Sequence, residues 1–142
     1  IITVLVLMGI IGVFGSMFLI NMVQSYKWAD DNSQLAQKAQ IALTRIAVEM
    51  AYSNSTIDID SNIITYNATY PDGTSSAENK FKKDSNELIL EINSNGYTLT
   101  DKVTAFVVND DGLDDGYFIV NLNMTGANDV EKSFNKYIAL HE

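Results

Sequence analysis

The residues best placed to do chemistry form the run Asn109-Asp110-Asp111-Gly112-Leu113-Asp114-Asp115-Gly116, which sets four carboxylates within eight positions. Oxygen-rich loops containing glycine suit calcium, a hard cation that takes about six to eight oxygen ligands. Asp110, Asp111, Asp114 and Asp115 are the candidate ligands. The spacing does not match an EF-hand, which alternates its ligands and closes on a distal Glu. A solvated loop between two strands is the competing reading. Three N-glycosylation sequons also stand out: Asn54-Ser55-Thr56, Asn67-Ala68-Thr69 and Asn123-Met124-Thr125. Chance supplies about two sequons in a chain this rich in Asn, Ser and Thr. Asn54, Asn67 and Asn123 are therefore acceptors by pattern alone.

Histidine-based and thiolate chemistry find little to work with. His141 is the single histidine, one residue from the end, and there is no cysteine. A zinc site or a nucleophile-histidine dyad has no second partner to draw on. Glu91 is the one carboxylate that comes near an apolar run, Leu88 to Ile92, and an exposed sheet face accounts for it. There is no GxGxxG, phosphate-binding loop or nucleophile elbow. The expectation is a protein that is not an enzyme and carries no cofactor beyond that one calcium candidate. A net charge of −9, with Lys80, Lys82 and Lys83 the only basic cluster, argues against a nucleic-acid partner, which needs clustered cations against phosphate.

The elements that must position these residues start with an apolar rod. Ile1 to Val23 carries no charge, and the first charged residue of the chain is Lys27. At about 1.5 Å rise per residue the run spans roughly 35 Å as a helix, enough to cross a bilayer core of about 30 Å. It lacks the basic start and small-residue cleavage site of a secretory signal peptide, so it is expected to be retained. The first residue is Ile with no methionine before it, as in a piece of a longer product or a chain whose leader has been removed. Beyond it, Leu35, Ala39, Leu43, Ala47 and Met50, with Ala36 and Ile46 alongside, recur at helical spacing. Gln37, Lys38, Gln40, Thr44, Arg45 and Glu49 fill the other face. Ala29-Asp30-Asp31-Asn32-Ser33 is made largely of weak helix formers. One helix of about fifty residues, roughly 75 Å long, is favoured over a break there. Residues 1–28 form its apolar half and residues 29–52 its amphipathic half.

From residue 53 to 142 the pattern is that of strands. Ile57, Ile59, Ile63, Ile64 and Tyr66 are β-branched or aromatic among short polar residues. Tyr70-Pro71-Asp72-Gly73 is a turn, and Thr74 to Asn79 is expected to be loop. Leu88 to Ile92 and Tyr97 to Thr100 form a hairpin around Asn93-Ser94-Asn95-Gly96, with Asn-Gly as the turn signal. Val103 to Val108 and Tyr117 to Met124 form a second hairpin around the acidic loop, and Ser133 to Leu140 adds a last strand. The fold class expected is α+β, a long N-terminal helix packed on a C-terminal antiparallel sheet.

A long helix, apolar in front and amphipathic behind, followed by a small antiparallel sheet, resembles the type IV pilin superfamily, which includes the pseudopilins of type II secretion. The local match is Val4 to Phe18, VLVLMGIIGVFGSMF, in which Ile10-Ile11-Gly12 is similar to the family's I-I-G core. Leu43-Thr44-Arg45-Ile46-Ala47-Val48-Glu49-Met50 is similar to the end of the first helix in minor pilin-like proteins. The resemblance covers the helix by sequence and the sheet by architecture only. It implies a structural subunit of a pilus-like filament that partners other copies of itself or related pilins. Such a subunit waits in the cytoplasmic membrane and ends in an extracellular filament. On that reading Ile1, Ile2, Thr3, Val4, Leu5, Val6, Leu7, Met8, Gly9, Ile10, Ile11, Gly12, Val13, Phe14 and Gly15 belong to the filament core, where Gly9, Gly12 and Gly15 permit close helix approach. The alternatives are a minor pseudopilin of a secretion apparatus and a membrane-anchored extracytoplasmic binding or sensor domain.

The chain departs from the family in four places. Where the family has a glutamate nine residues before the I-I-G glycine, this chain has Thr3, or Leu5 if Ile1 is the first mature residue. The family's early helix proline is absent, since Pro71 is the only proline, and no disulfide can close a C-terminal loop. The Gly12 alignment also leaves room for about two residues ahead of Ile1.

Overall fold

A computed structural model describes residues 1–54, 57–110 and 113–140, with the side chain of Asp114 excepted. One uninterrupted helix, α1 (Ile2–Ala51), opens the chain. The weak helix formers at 29–33 do not break it: Gln34 donates to Asp30 one turn back at 3.0 Å, which supports the helix through that stretch. Every residue from Ile1 to Asp31 is exposed, and Leu35 is the first buried one. From there Leu35, Ala39, Ala42, Leu43, Ile46 and Met50 are buried against the strands. Ala36, expected on that stripe, faces solvent, because it lies a quarter-turn beyond the buried seam.

The strands among the described residues are β1 (Asp58–Asp60), β2 (Ile63–Thr69), β3 (Ser75–Asp84), β4 (Glu87–Ile92), β5 (Asn95–Thr100), β6 (Val103–Asn109), β7 (Tyr117–Thr125) and β8 (Glu131–Ala139). They make two antiparallel sheets, β1-β2-β3-β4-β5 and β6-β7-β8. Helix α1 lies across both, touching β2 and β5 in one and β7 and β8 in the other. The result is the α+β class expected, with the sheet divided in two. The break falls at Thr100–Val103, where Lys102 takes a positive φ of 59° and the chain leaves the first sheet. Hydrogen bonds bridge the seam: Val103 N donates to Asn86 O at 2.8 Å, and Val108 N donates to Asn62 Oδ1 at 3.1 Å.

Two local expectations are corrected. Thr74 to Asn79 is mostly strand, the first half of β3, paired with β2 through Ala68↔Ser76 and Tyr66↔Asn79. Its inward positions, Ser76 and Asn79, are polar but buried, so no apolar alternation marks the strand. Asn79 Nδ2 donates to Ser76 Oγ at 2.5 Å, which partly replaces the water both groups lose. The β4–β5 turn is Asn93-Ser94 and not Asn95-Gly96. Both residues have positive φ, 50° and 67°, as a two-residue type I′ turn requires. Gly96 instead sits in β5 opposite Glu91.

The core is continuous across helix and sheets. Phe118, Val120, Leu122 and Met124 alternate inward along β7, Ile64, Tyr66 and Ala68 along β2, and Leu88 and Leu90 along β4. The Tyr66 and Phe81 rings stack with centroids 5.6 Å apart.

Candidate functional site

The first half of α1 projects from this core with none of its apolar side chains covered. Phe14 is 68% exposed and Leu5 65%, values typical of the whole run from Ile1 to Val23. By length and composition the helix can cross a membrane. All fifteen residues from Ile1 to Gly15 assigned to it by sequence lie in this exposed stretch. A Cβ added at Gly9, Gly12 or Gly15 would meet nothing within 4 Å. Those glycines therefore do no packing inside the chain. Ser16 Oγ donates to Gly12 O at 2.8 Å, which satisfies the hydroxyl within the helix, as a polar group in an apolar setting must be. No carboxylate stands at Thr3 or Leu5, and no ionisable side chain precedes Tyr26.

At the other end of α1 lies a carboxylate that periodicity assigned to the solvent face. Glu49 is only 1% exposed. Its carboxylate accepts from the Tyr66 hydroxyl at 3.0 Å and the Tyr70 hydroxyl at 2.9 Å, and pairs with Arg45 one turn back at 2.5 Å. Burial first, then the neighbouring Glu49 charge and the hydrogen bond to it, push the Tyr66 hydroxyl far above its ordinary range. Burial likewise raises Tyr70. Arg45 reaches solvent while Glu49 does not, so the helix carries a charge inward with three donors on it. This closed arrangement fixes the end of α1 to β2 and the Tyr70 turn. The signal for it was present in the sequence: Leu35, Ala39, Ala42, Ile46 and Glu49 step by four and three, which puts Glu49 on the buried seam.

The carboxylate and asparagine candidates fare differently. Asp110 and Asp115 are exposed, and Leu113 N donates to Asp110 O at 2.9 Å to open a 3-10 turn at Leu113–Asp115. Asp111, like His141, lies outside the described residues, as does the side chain of Asp114. Among the described residues no group of three or more His, Cys, Asp or Glu gathers as a metal site would require. Glu91 is half-buried and paired with Lys82 at 2.5 Å. The hydrogen bond from Lys82 holds its carboxyl below the usual range. Asn54 is exposed and donates to Thr69 Oγ1 at 2.5 Å, while Ser55 and Thr56 of its sequon lie outside the described residues. Asn67 is exposed on β2 and its side-chain oxygen accepts from Glu78 N. Asn123 is half-exposed on β7.

No protein-family model, curated protein or solved structure matches the chain.

Proposed function

We propose that the chain is a structural subunit of a pilus-like helical filament, held in a membrane by α1 before assembly and bundled through the same helix afterwards. The observation that carries this reading is the projection of Ile1 to Val23 as a bare apolar rod beyond a head domain that leaves it uncovered. In water such a surface must be buried in lipid or in protein, at roughly 1.5–3 kcal/mol per large side chain. A second copy of the same rod is as apolar as lipid and can replace it. The outward face of the rear half supports the filament over a plain anchor. Ile41 is 67% exposed and Val48 39%. Leu5, Val23 and Ile41 are eighteen residues apart, about five helical turns at 3.6 residues each. Lys27, Asp30 and Gln34 separate Ile41 from Val23 on that face, so Ile41 and Val48 form a second apolar patch on the helix, beside the head and apart from the rod. The absence of a carboxylate at Thr3 and Leu5 favours, within this class, a minor subunit whose register is set by shape.

Electron microscopy of the purified full chain after detergent removal tests the reading. Thin filaments with a helical core and the head domains outside are expected. A monodisperse species that stays monomeric in lipid nanodiscs and never polymerises would sink it, and would leave a single-span anchored domain in its place.

A further inference from the structure

The outer face of the three-stranded sheet is unlike the rest of this acidic surface. The register sets Asn121 beside Asn135, Asn123 beside Ser133 and Ile119 beside Tyr137, and cross-strand partners share a face. The alternate positions of β7, from Phe118 to Met124, point into the core, so Tyr117, Asn121 and Asn123 point outward. Tyr137 is 68% exposed, and its ring lies 6.0 Å from that of Tyr117, tilted by 43°. Glu131 closes one end of the face. Between it and Tyr117 no charged side chain of β6, β7 or β8 points outward, in a chain of net charge −9. The charges of β8 that fall in this span, Lys132 and Lys136, alternate to the other side, where Lys136 approaches Thr44 of α1.

We propose that this face binds neutral carbohydrate. Its chemistry matches an uncharged polyol on three counts. Side-chain amides and the Ser133 hydroxyl each offer both a donor and an acceptor, as the paired hydroxyls of a sugar require. The two tyrosine rings give flat apolar platforms with a polar tip for the C–H face of a pyranose. The lack of fixed charge gives no advantage to an anion or a cation, and leaves no buried charge unpaired when the face is covered. From Ser133 to Tyr137 is about 13 Å along the strand, the length of two to three sugar units. At the Glu131 end the face stops at a groove of about 550 Å³ bordered by Thr104 and Thr125, where Lys83, Lys102 and Asp129 bring charge back and so bound the neutral track. The proposal does not depend on the filament reading, because the face lies on the head domain.

The test is an NMR titration of the full chain in phosphocholine micelles, a detergent that carries no sugar. Maltotriose, mannotriose and chitotriose serve as neutral probes and a galacturonate trimer as the acidic one. A neutral trisaccharide is expected to shift the Tyr117, Tyr137 and Asn121, Asn123 and Asn135 side-chain signals. Tyr137→Ala and Asn135→Ala are each expected to weaken binding about tenfold. The exposed Asn135→Ala should leave the unfolding midpoint unchanged, and Tyr137→Ala should lower it only slightly through the lost ring contact with Tyr117. Tyr97→Ala, at an exposed tyrosine on the other sheet, should leave binding intact. Four results would overturn the proposal. They are no shift with any neutral probe, shifts that persist in both face variants, preference for galacturonate, and a change in self-association without a change in sugar binding.

Discussion

Replacing Glu49 by alanine should cost the head domain about 3 kcal/mol, and the parts of that figure can be separated. Glu49→Ala strands the Tyr66 hydroxyl, which is fully buried and has Glu49 as its acceptor. An orphaned buried hydroxyl costs about 1–3 kcal/mol. Tyr70 is half-buried, so water replaces much of its lost bond. Alanine keeps the Cβ of Glu49, so the lost apolar burial is one methylene, about 0.8 kcal/mol. The Arg45 side chain is 47% exposed and returns to solvent, which limits the ion pair to less than about 1 kcal/mol. Glu49→Gln keeps an acceptor and most of the volume and should cost about 1–2 kcal/mol. The decisive measurement is a double-mutant cycle by urea unfolding of the full chain in micelles, followed by near-UV circular dichroism. Tyr66→Phe costs about 1 kcal/mol in the parent chain. In a Glu49→Met background it removes an orphan and should restore stability, for a coupling of at least about 1.5 kcal/mol. A coupling below about 0.5 kcal/mol, or a Glu49→Ala cost below about 1 kcal/mol, would refute the claim that this carboxylate is held by the tyrosines.

Other consequences are open to measurement. Because Tyr66 is raised above its ordinary 10.0, the folded state holds its proton where the unfolded chain releases it. Stability should be complete below pH 10 and then fall by up to about 1.4 kcal/mol per pH unit. Tyr66→Phe should flatten that slope in an alkaline unfolding series. A Cβ at Gly126 would sit 2.7 Å from Asn32 Oδ1 and 3.3 Å from the Val130 carbonyl. Gly126→Ala should therefore cost about 1–3 kcal/mol in denaturant, detectable as a lower urea midpoint. Ser94 holds a φ of 67° in the β4–β5 turn, and Ser94→Gly should raise stability by about 0.5–1 kcal/mol as the turn becomes Asn-Gly. Val13→Asp sets a charge at about the middle of the apolar run, at about 2.5–3.5 kcal/mol for insertion. It should shift the protein out of the membrane fraction while the head domain unfolds at the same midpoint, since no head residue touches it.

Much of the fold was legible because it is local. A run without charge before Lys27 has one physical outcome, a helix that must be covered by something apolar. The four- and three-residue recurrence after Leu35 marks the face that meets the strands. The hairpin of β6 and β7 was legible from two strand runs around one loop, and β8 was legible as a strand, while its pairing with β7 came from the structure. Turn chemistry was legible as a turn, but its register was not: Asn93-Ser94 and Asn95-Gly96 are both good local candidates. The pairing of β4 residues Leu88 and Leu90 with β5 decided between them by turning those side chains inward.

By itself, the sequence determined a long helix with an uncovered apolar half, an antiparallel strand domain and an acidic surface, because composition and period act over neighbouring residues. The stepping from Leu35 already carries Glu49 onto the buried seam, but only the tertiary structure supplied the Tyr66 and Tyr70 hydroxyls that meet its carboxylate there. It also made a strand of Ser76 and Asn79, whose side chains are buried with one hydrogen bond between them. It divided the strands into two sheets under one helix. And it gathered two tyrosines and a row of asparagines from β7 and β8 onto one charge-free face, which no single strand announces, because cross-strand register is a property of packing and not of the chain.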